Sequence, residues 1–239
     1  MRRIGMLGGM SWTSTELYYR AANELVRDRV GGLASADLLV RSVDMAHIRT
    51  LQVEDRWDDA AELLLREAKT LEAAGAELVV LCTNYMHKVA PTLEAGLGVP
   101  FLHIADVVAE AATGLGATKV GLTGVGATMA EPFYAQRLGG HGLEVLVPEA
   151  ADRERLDRAI FDELCLGTLS DGTRADLRAV LARLVDAGAE AVALACTELE
   201  LLLTSEDCAV PLLPTARLHV TAAIDAALRE PAQERPETP

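Results

Sequence analysis

The chain has 239 residues, half of them apolar but only 4% aromatic, and a formal net charge of −14. That length suits one large α/β domain or two lobes around an aliphatic core. The acidic balance argues against nucleic acid and anionic membrane surfaces as partners, and no apolar stretch approaches the roughly 20 residues that span a bilayer.

The opening MRRIGMLGGM carries two arginines and a short apolar run, but Gly8-Gly9 and the polar SWTST interrupt it too early for a secretory leader. It reads as a first strand, Arg3–Leu7. Thr13-Ser14-Thr15-Glu16 has capping-box spacing and predicts a helix to about Arg29. Asp37–Val43 reads as a strand, Asp58–Ala74 as a helix stopped by Gly75, and Glu77–Cys82 as a short buried strand. Further strands are predicted at Pro100–Ile104, Lys119–Thr123, Leu143–Val147, Ala191–Ala195 and Val210–Leu213. Helices fit between them, notably at Ala130–Leu138, Arg153–Leu164, Arg174–Ala187 and Ala216–Arg229. The charged, proline-rich end, 230–239, is expected to be disordered. Strands alternating with helices predict parallel sheets.

An internal repeat runs through this pattern. RRIGMLGG near the start matches TKVGLTGVG at 118–126, and GAELVVLCTN at 75–84 matches GAEAVALACTE at 188–198. Gly5 precedes Cys82 by 77 residues and Gly121 precedes Cys196 by 75. Two similar lobes follow, each with a glycine turn early and a Cys-Thr pair late, at a strand's carboxyl end where open α/β sheets bind ligands.

A free cysteine is ordinarily a small buried hydrophobe, but the matched placement of Cys82 and Cys196 points to paired chemistry. One thiolate removes a proton from a carbon between them, and the other thiol returns a proton on the opposite face. Cys165 and Cys208 have no such match. Four cysteines without a C-x-x-C pair suggest neither a disulfide framework nor a metal site, and reduced thiols make the cytoplasm the expected compartment. Gly8-Gly9-Met10-Ser11 offers backbone N–H groups to a carboxylate, or is simply a tight turn that needs glycine. Gly124–Thr128 is its counterpart, with Thr128 as a hydroxyl donor. Thr83 and Asn84, and Thr197 and Glu198, are placed either to hydrogen-bond a substrate carboxylate or ammonium or to cap a helix. His87 either tunes Cys82 or packs. Arg41, Arg49 and Arg56 are placed on the second strand and the loop after it, where one could meet a substrate acid.

With these residues in view, the chain resembles the aspartate/glutamate racemase family, in particular its cofactor-independent aspartate racemase branch. The resemblance rests on LGGMSW and YYR, SVDMAHIRTLQ at 42–52, CTNYMHK at 82–88, GATMAEPFY at 126–134, ELCLG at 163–167, ACTELELLL at 195–203 and LHVTAAIDAAL near the end. It implies two pseudo-symmetric, doubly wound α/β lobes with four-stranded parallel sheets and the active site in the cleft between them. The first lobe is expected to span 1–113 plus 215–229, and the second 114–214. It implies racemisation of aspartate or glutamate by Cys82 and Cys196, with no pyridoxal phosphate, other cofactor or metal. The implied site is lined by Met10, Thr83, Asn84, Thr128, Thr197 and Glu198, with Ser11, Arg49 and His87 as further candidates. The resemblance also implies a homodimer. Two departures concern the substrate: Thr168 stands where many members carry lysine, and Pro214 where they carry aspartate. A maleate isomerase-like enzyme of the same superfamily, or a non-catalytic binding protein for small carboxylates, are the alternatives.

Overall fold

The computed structural model describes residues 1–229, so the expected disorder at 230–239 lies outside the described residues. In chain order the first half contains β1 (Ile4–Gly8), α1 (Trp12–Val30), β2 (Leu38–Ser42), α2 (Met45–Val53), α3 (Trp57–Ala73), β3 (Leu78–Leu81), a 3-10 turn (Tyr85–Val89), α4 (Ala90–Gly96) and β4 (Phe101–Leu102). The second half contains α5 (Ile104–Gly114), β5 (Lys119–Gly124), α6 (Gly126–Ala130), α7 (Pro132–Gly140), β6 (Glu144–Leu146), α8 (Ala150–Arg158), α9 (Asp171–Asp186), β7 (Ala191–Ala195), α10 (Leu199–Leu202), β8 (Leu212–Pro214) and α11 (Thr215–Leu228). Two four-stranded sheets result, in the orders β2-β1-β3-β4 and β6-β5-β7-β8. All six pairings are parallel, as the alternation of elements predicts. The central strands β1, β3 and β7 are buried at every position, as short apolar runs covered on both faces should be.

Several elements differ from the sequence expectations. The cap of α1 is Ser11, not a Thr13–Glu16 capping box: Ser11 is extended, and its hydroxyl accepts from the backbone N–H of Ser14. Thr13 already lies inside the first turn, and Glu16 pairs with Arg20. Arg49 sits on a helix, not a loop. Asp44 caps α2 by accepting from Ala46 N at 2.9 Å, and Ile48 and Leu51 bury one face of it. The helix predicted to Leu164 changes character at its end, passing from α8 into a π turn (Ala159–Glu163) and a 3-10 turn (Leu164–Leu166) that Gly167 closes at a φ of 78°.

Helix α5 follows the first sheet in sequence but packs on the second. Its Ile104, Ala105, Val108 and Ala112 join Val120 and Leu122 of β5 and Ala191 and Ala193 of β7 in one cluster. Helix α11 does the reverse. Ala216, Val220, Ala223 and Ile224 pack with Ile4 and Met6 of β1, Leu78 and Val80 of β3, and Tyr18 and Ala22 of α1. On this packing we propose lobes of 1–103 with 215–229, and 104–214, which moves α5 into the second lobe.

The repeat is broken by one residue. Gly5 pairs with Val79 and its counterpart Gly121 with Val192, yet Cys82 comes three residues after Val79 and Cys196 four after Val192. Side chains alternate along a strand, so the two cysteines fall on different faces. Cys82 packs with Leu78 and Val80 against α1 and α11. Cys196 packs with Val192 and Leu194 on the side of α8 and α9.

Candidate active site

A cavity of about 670 Å³ opens at the carboxyl ends of both sheets. The turn after β1 supplies Met10 and Ser11, α1 supplies Ser14, the residues between β3 and the 3-10 turn supply Thr83 and Asn84, and α2 supplies Arg49. From the other lobe come Thr128 after β5, Asp157 of α8, and Cys196, Thr197 and Glu198 after β7. The expected residues Met10, Ser11, Arg49, Thr83, Asn84, Thr128, Cys196, Thr197 and Glu198 therefore meet in one place.

Cys82 does not line it. Its side chain has no exposed surface, while the next two residues, Thr83 and Asn84, do line the cavity. Burial pushes the Cys82 thiol up, with no compensating partner among the described residues. Cys196 is 9% exposed and on the wall. Its thiol donates to Oε2 of Glu198 at 3.0 Å, and its pKa is raised by burial first and by the neighbouring Glu198 charge second. Thr197 donates to the same carboxylate oxygen at 2.7 Å, and its own hydroxyl meets Ser14 Oγ of the opposite lobe at 2.7 Å.

Other expected groups are committed elsewhere. His87 packs behind the cavity: Nδ1 donates to Thr83 O at 2.7 Å and Nε2 accepts from Ile104 N at 3.2 Å. That leaves the ring neutral, and burial followed by the nearby His103 and His219 rings holds its pKa well below the usual value. The Asn84 amide donates to Thr215 Oγ1 at 3.0 Å and accepts from Tyr134 at 3.2 Å. Its side chain thus ties the first lobe to the second, and what it presents to the cavity is its remaining surface. The N–H of Gly9 donates to Thr15 Oγ1 at 2.8 Å, so at that position the glycine turn is satisfied internally. Arg41 and Arg56 are also engaged away from the cavity, with Glu67 and with Glu54 and Asp59. Thr168 and Pro214 do not line the cavity; Thr168 is exposed and Pro214 pairs with Leu194 in β8.

Two polar groups remain available. Thr128 Oγ1 is buried with no hydrogen-bond partner among the described residues. Arg49 meets only Gln52, at 3.3 Å, among those residues. Both suit a carboxylate. The sequence reading missed Trp12, Ser14, Asp157, Phe161 and Cys165, all of which border the cavity. Asp157 accepts from Gly126 N at 2.7 Å, pinning the second glycine turn. Burial raises the Cys165 thiol to about 11. Their only sequence signal was proximity to motifs already singled out.

A family model described as Asp/Glu/Hydantoin racemase matches residues 7–223. Among solved structures, a candidate Asp/Glu racemase from Yersinia pestis is 44% identical, with a TM-score of 0.92 over 96% of this chain and 100% of the other. An aspartate racemase homologue from Pyrococcus horikoshii OT3 is 33% identical, with a TM-score of 0.87 over 96% and 100% of the two chains. The Picrophilus torridus aspartate racemase is 16% identical and shares the fold, with a TM-score of 0.73 over 95% and 94%.

Proposed function

Because this chain belongs to the Asp/Glu/hydantoin racemase family, we propose that it is an amino-acid racemase that inverts Cα by proton transfer between two thiols, Cys196 and Cys82. The observation that carries the reading is the place of Cys196. It lies on the wall of a cavity formed by the carboxyl ends of two parallel sheets, with a carboxylate in hydrogen-bond contact with its sulfur. Cys82 ends the corresponding strand of the other lobe, one residue from Thr83 on the cavity wall. Aspartate and glutamate are the substrates that the family name suggests. The unpaired thiols and the resemblance are the grounds for extending the proposal to a cytoplasmic homodimer.

The Cys196 proton passes along its hydrogen bond to Glu198, and the resulting thiolate removes the α-proton. The Cys82 thiol donates its proton to the opposite face of the planar carbanion. Burial without a polar partner keeps Cys82 in the thiol form until it meets the carbanion. An α-proton is far less acidic than a thiol, so the carbanion needs electrostatic help from fixed donors on the substrate carboxylate. In this reading Thr128 and Arg49 on the cavity wall take that role, and Asp157 and Glu198 meet the ammonium. Substrate binding has to expose the buried Cys82 sulfur to the cavity.

The test is solvent exchange. Wild-type protein in D2O, with single L-amino acids, should lose the α-proton signal and accumulate the opposite enantiomer, while Cys196→Ala and Cys82→Ala should each abolish racemisation. Normal turnover by either variant would sink the two-thiol mechanism. The concealment of Cys82 favours one alternative, a protein that binds small carboxylates without turnover; for that protein, ligands would raise thermal stability while no amino acid exchanged.

A further inference from the structure

We infer that the cavity selects an amino acid with an uncharged, apolar side chain, of the size of methionine, leucine or phenylalanine, over the dicarboxylic amino acids. The inference rests on the racemase reading and specifies its substrate.

Three large apolar side chains on three separate elements remain exposed, and all three border the same cavity: Trp12 at the start of α1 (72% exposed), Met45 at the start of α2 (38%) and Phe161 in the π turn (56%). Val125 and Ile160 continue this wall. Scattered exposed apolar residues are ordinary, but a convergent set around one concavity marks a surface that a ligand covers. None of the five offers a carboxylate a hydrogen bond apart from the indole N–H of Trp12.

The charges point the same way. The cavity lining contains one guanidinium, Arg49, and two carboxyl groups, Asp157 and Glu198. Lys88, the nearest other cation in sequence to the Thr83–Met86 segment, is held by Glu131 over the Trp57 ring and does not line the cavity. A zwitterionic amino acid uses Arg49 and Thr128 for its carboxylate and the two acids for its ammonium. A second carboxylate would find no second guanidinium or ammonium in the described lining and would enter a cavity of net negative lining, in a chain of net charge −14. The volume of about 670 Å³ leaves room for a large side chain.

The experiment compares wild-type α-proton exchange and ligand-induced thermal stabilisation for L-methionine, L-leucine, L-phenylalanine, L-alanine, L-aspartate and L-glutamate. The expected result is kcat/KM for the best apolar substrate at least about tenfold above aspartate, the discrimination that buried methylenes give. Phe161→Ala and Trp12→Ala should each lower the methionine-to-alanine ratio of kcat/KM about tenfold. Aspartate or glutamate as the preferred substrate, or an unchanged ratio in both variants, would overturn the inference and leave the racemase reading standing. If no amino acid exchanges, the racemase reading fails. The thermal shifts then decide the specificity: stabilisation by methionine and not aspartate upholds it, and any other pattern overturns it.

Discussion

The Cys196 thiol and the Glu198 carboxylate are joined by a hydrogen bond of 3.0 Å, and among the described residues no equivalent group touches the thiol of Cys82. The two sulfurs are therefore unequal, although each ends a matched strand. One shares its proton with an acid; the other is held as a thiol by burial.

Replacing Glu198 by Gln should separate the two effects of that carboxyl group. Its charge raises the Cys196 pKa, so the Cys196 thiolate, followed by its ultraviolet absorbance or its alkylation rate, should appear at lower pH in Glu198→Gln. The variant also loses the proton acceptor, so turnover should fall about 100-fold, with kcat affected more than KM. A fall in turnover with no change in the thiol titration would reduce Glu198 to a structural role.

Gly9 should tolerate no side chain. Its φ is +90°, and a Cβ there would meet the backbone O and N of Val43, whose N–H donates to Gly8 O at 2.9 Å. Gly9→Ala should cost about 1–3 kcal/mol and lower Tm by several degrees. Gly31 has a similar φ of +87° with nothing near its Cβ position. Gly31→Ala should therefore cost less, and equal losses in thermal unfolding would contradict the steric argument.

Acid should destabilise the fold through its buried histidines. Burial, the leading cause for both, lowers His103 and His219 to about 4. The His87 ring stands 4.7 Å from His103 and 5.7 Å from His219, centre to centre. The unfolded chain titrates these rings near 6.5, so between about pH 6.5 and 4 it binds protons that the folded chain refuses, and stability falls with pH. Each drop is worth about 3 kcal/mol at most. Glu200 opposes them: burial raises its carboxyl to about 7, a penalty that grows as pH rises from about 4.5 to 7 and is relieved on acidification. Two shifted rings and His87 outweigh one acid, so chemical denaturation at pH 7 and pH 4.5 should show lower stability at pH 4.5. A flat profile would mean that the histidines are solvated in solution.

Much of the candidate site's lining is legible in the sequence. Met10, Thr128, Thr197 and Glu198 were placed by motifs that end strands, and the chain does bring them together, because a parallel sheet gathers its strand ends along one edge. Arg49 was found for a wrong reason, on a loop that is a nine-residue helix. For His87 the sequence leaves tuning and packing both open, because it does not say which backbone groups a ring will meet; the ring meets Thr83 O and Ile104 N. Phe161, and Cys165 just beyond the predicted helix end at Leu164, were hidden because the chain there passes through a π turn and a 3-10 turn, which periodicity does not resolve.

By itself the sequence determined the alternation of strand and helix, the two parallel sheets and the position of a cysteine at the end of a central strand in each. These follow from local patterns of burial, two residues long in strands and three to four in helices. Only the tertiary structure decided that α5 packs on the second sheet, since an apolar helix face fits either sheet until both are present; the return of α11 to the first sheet was already implied by the resemblance. The tertiary structure also decided which thiol meets the cavity. A single extra residue between Val192 and Cys196, relative to Val79 and Cys82, turns one sulfur toward the cleft and the other into the core, and pairing register settles that difference.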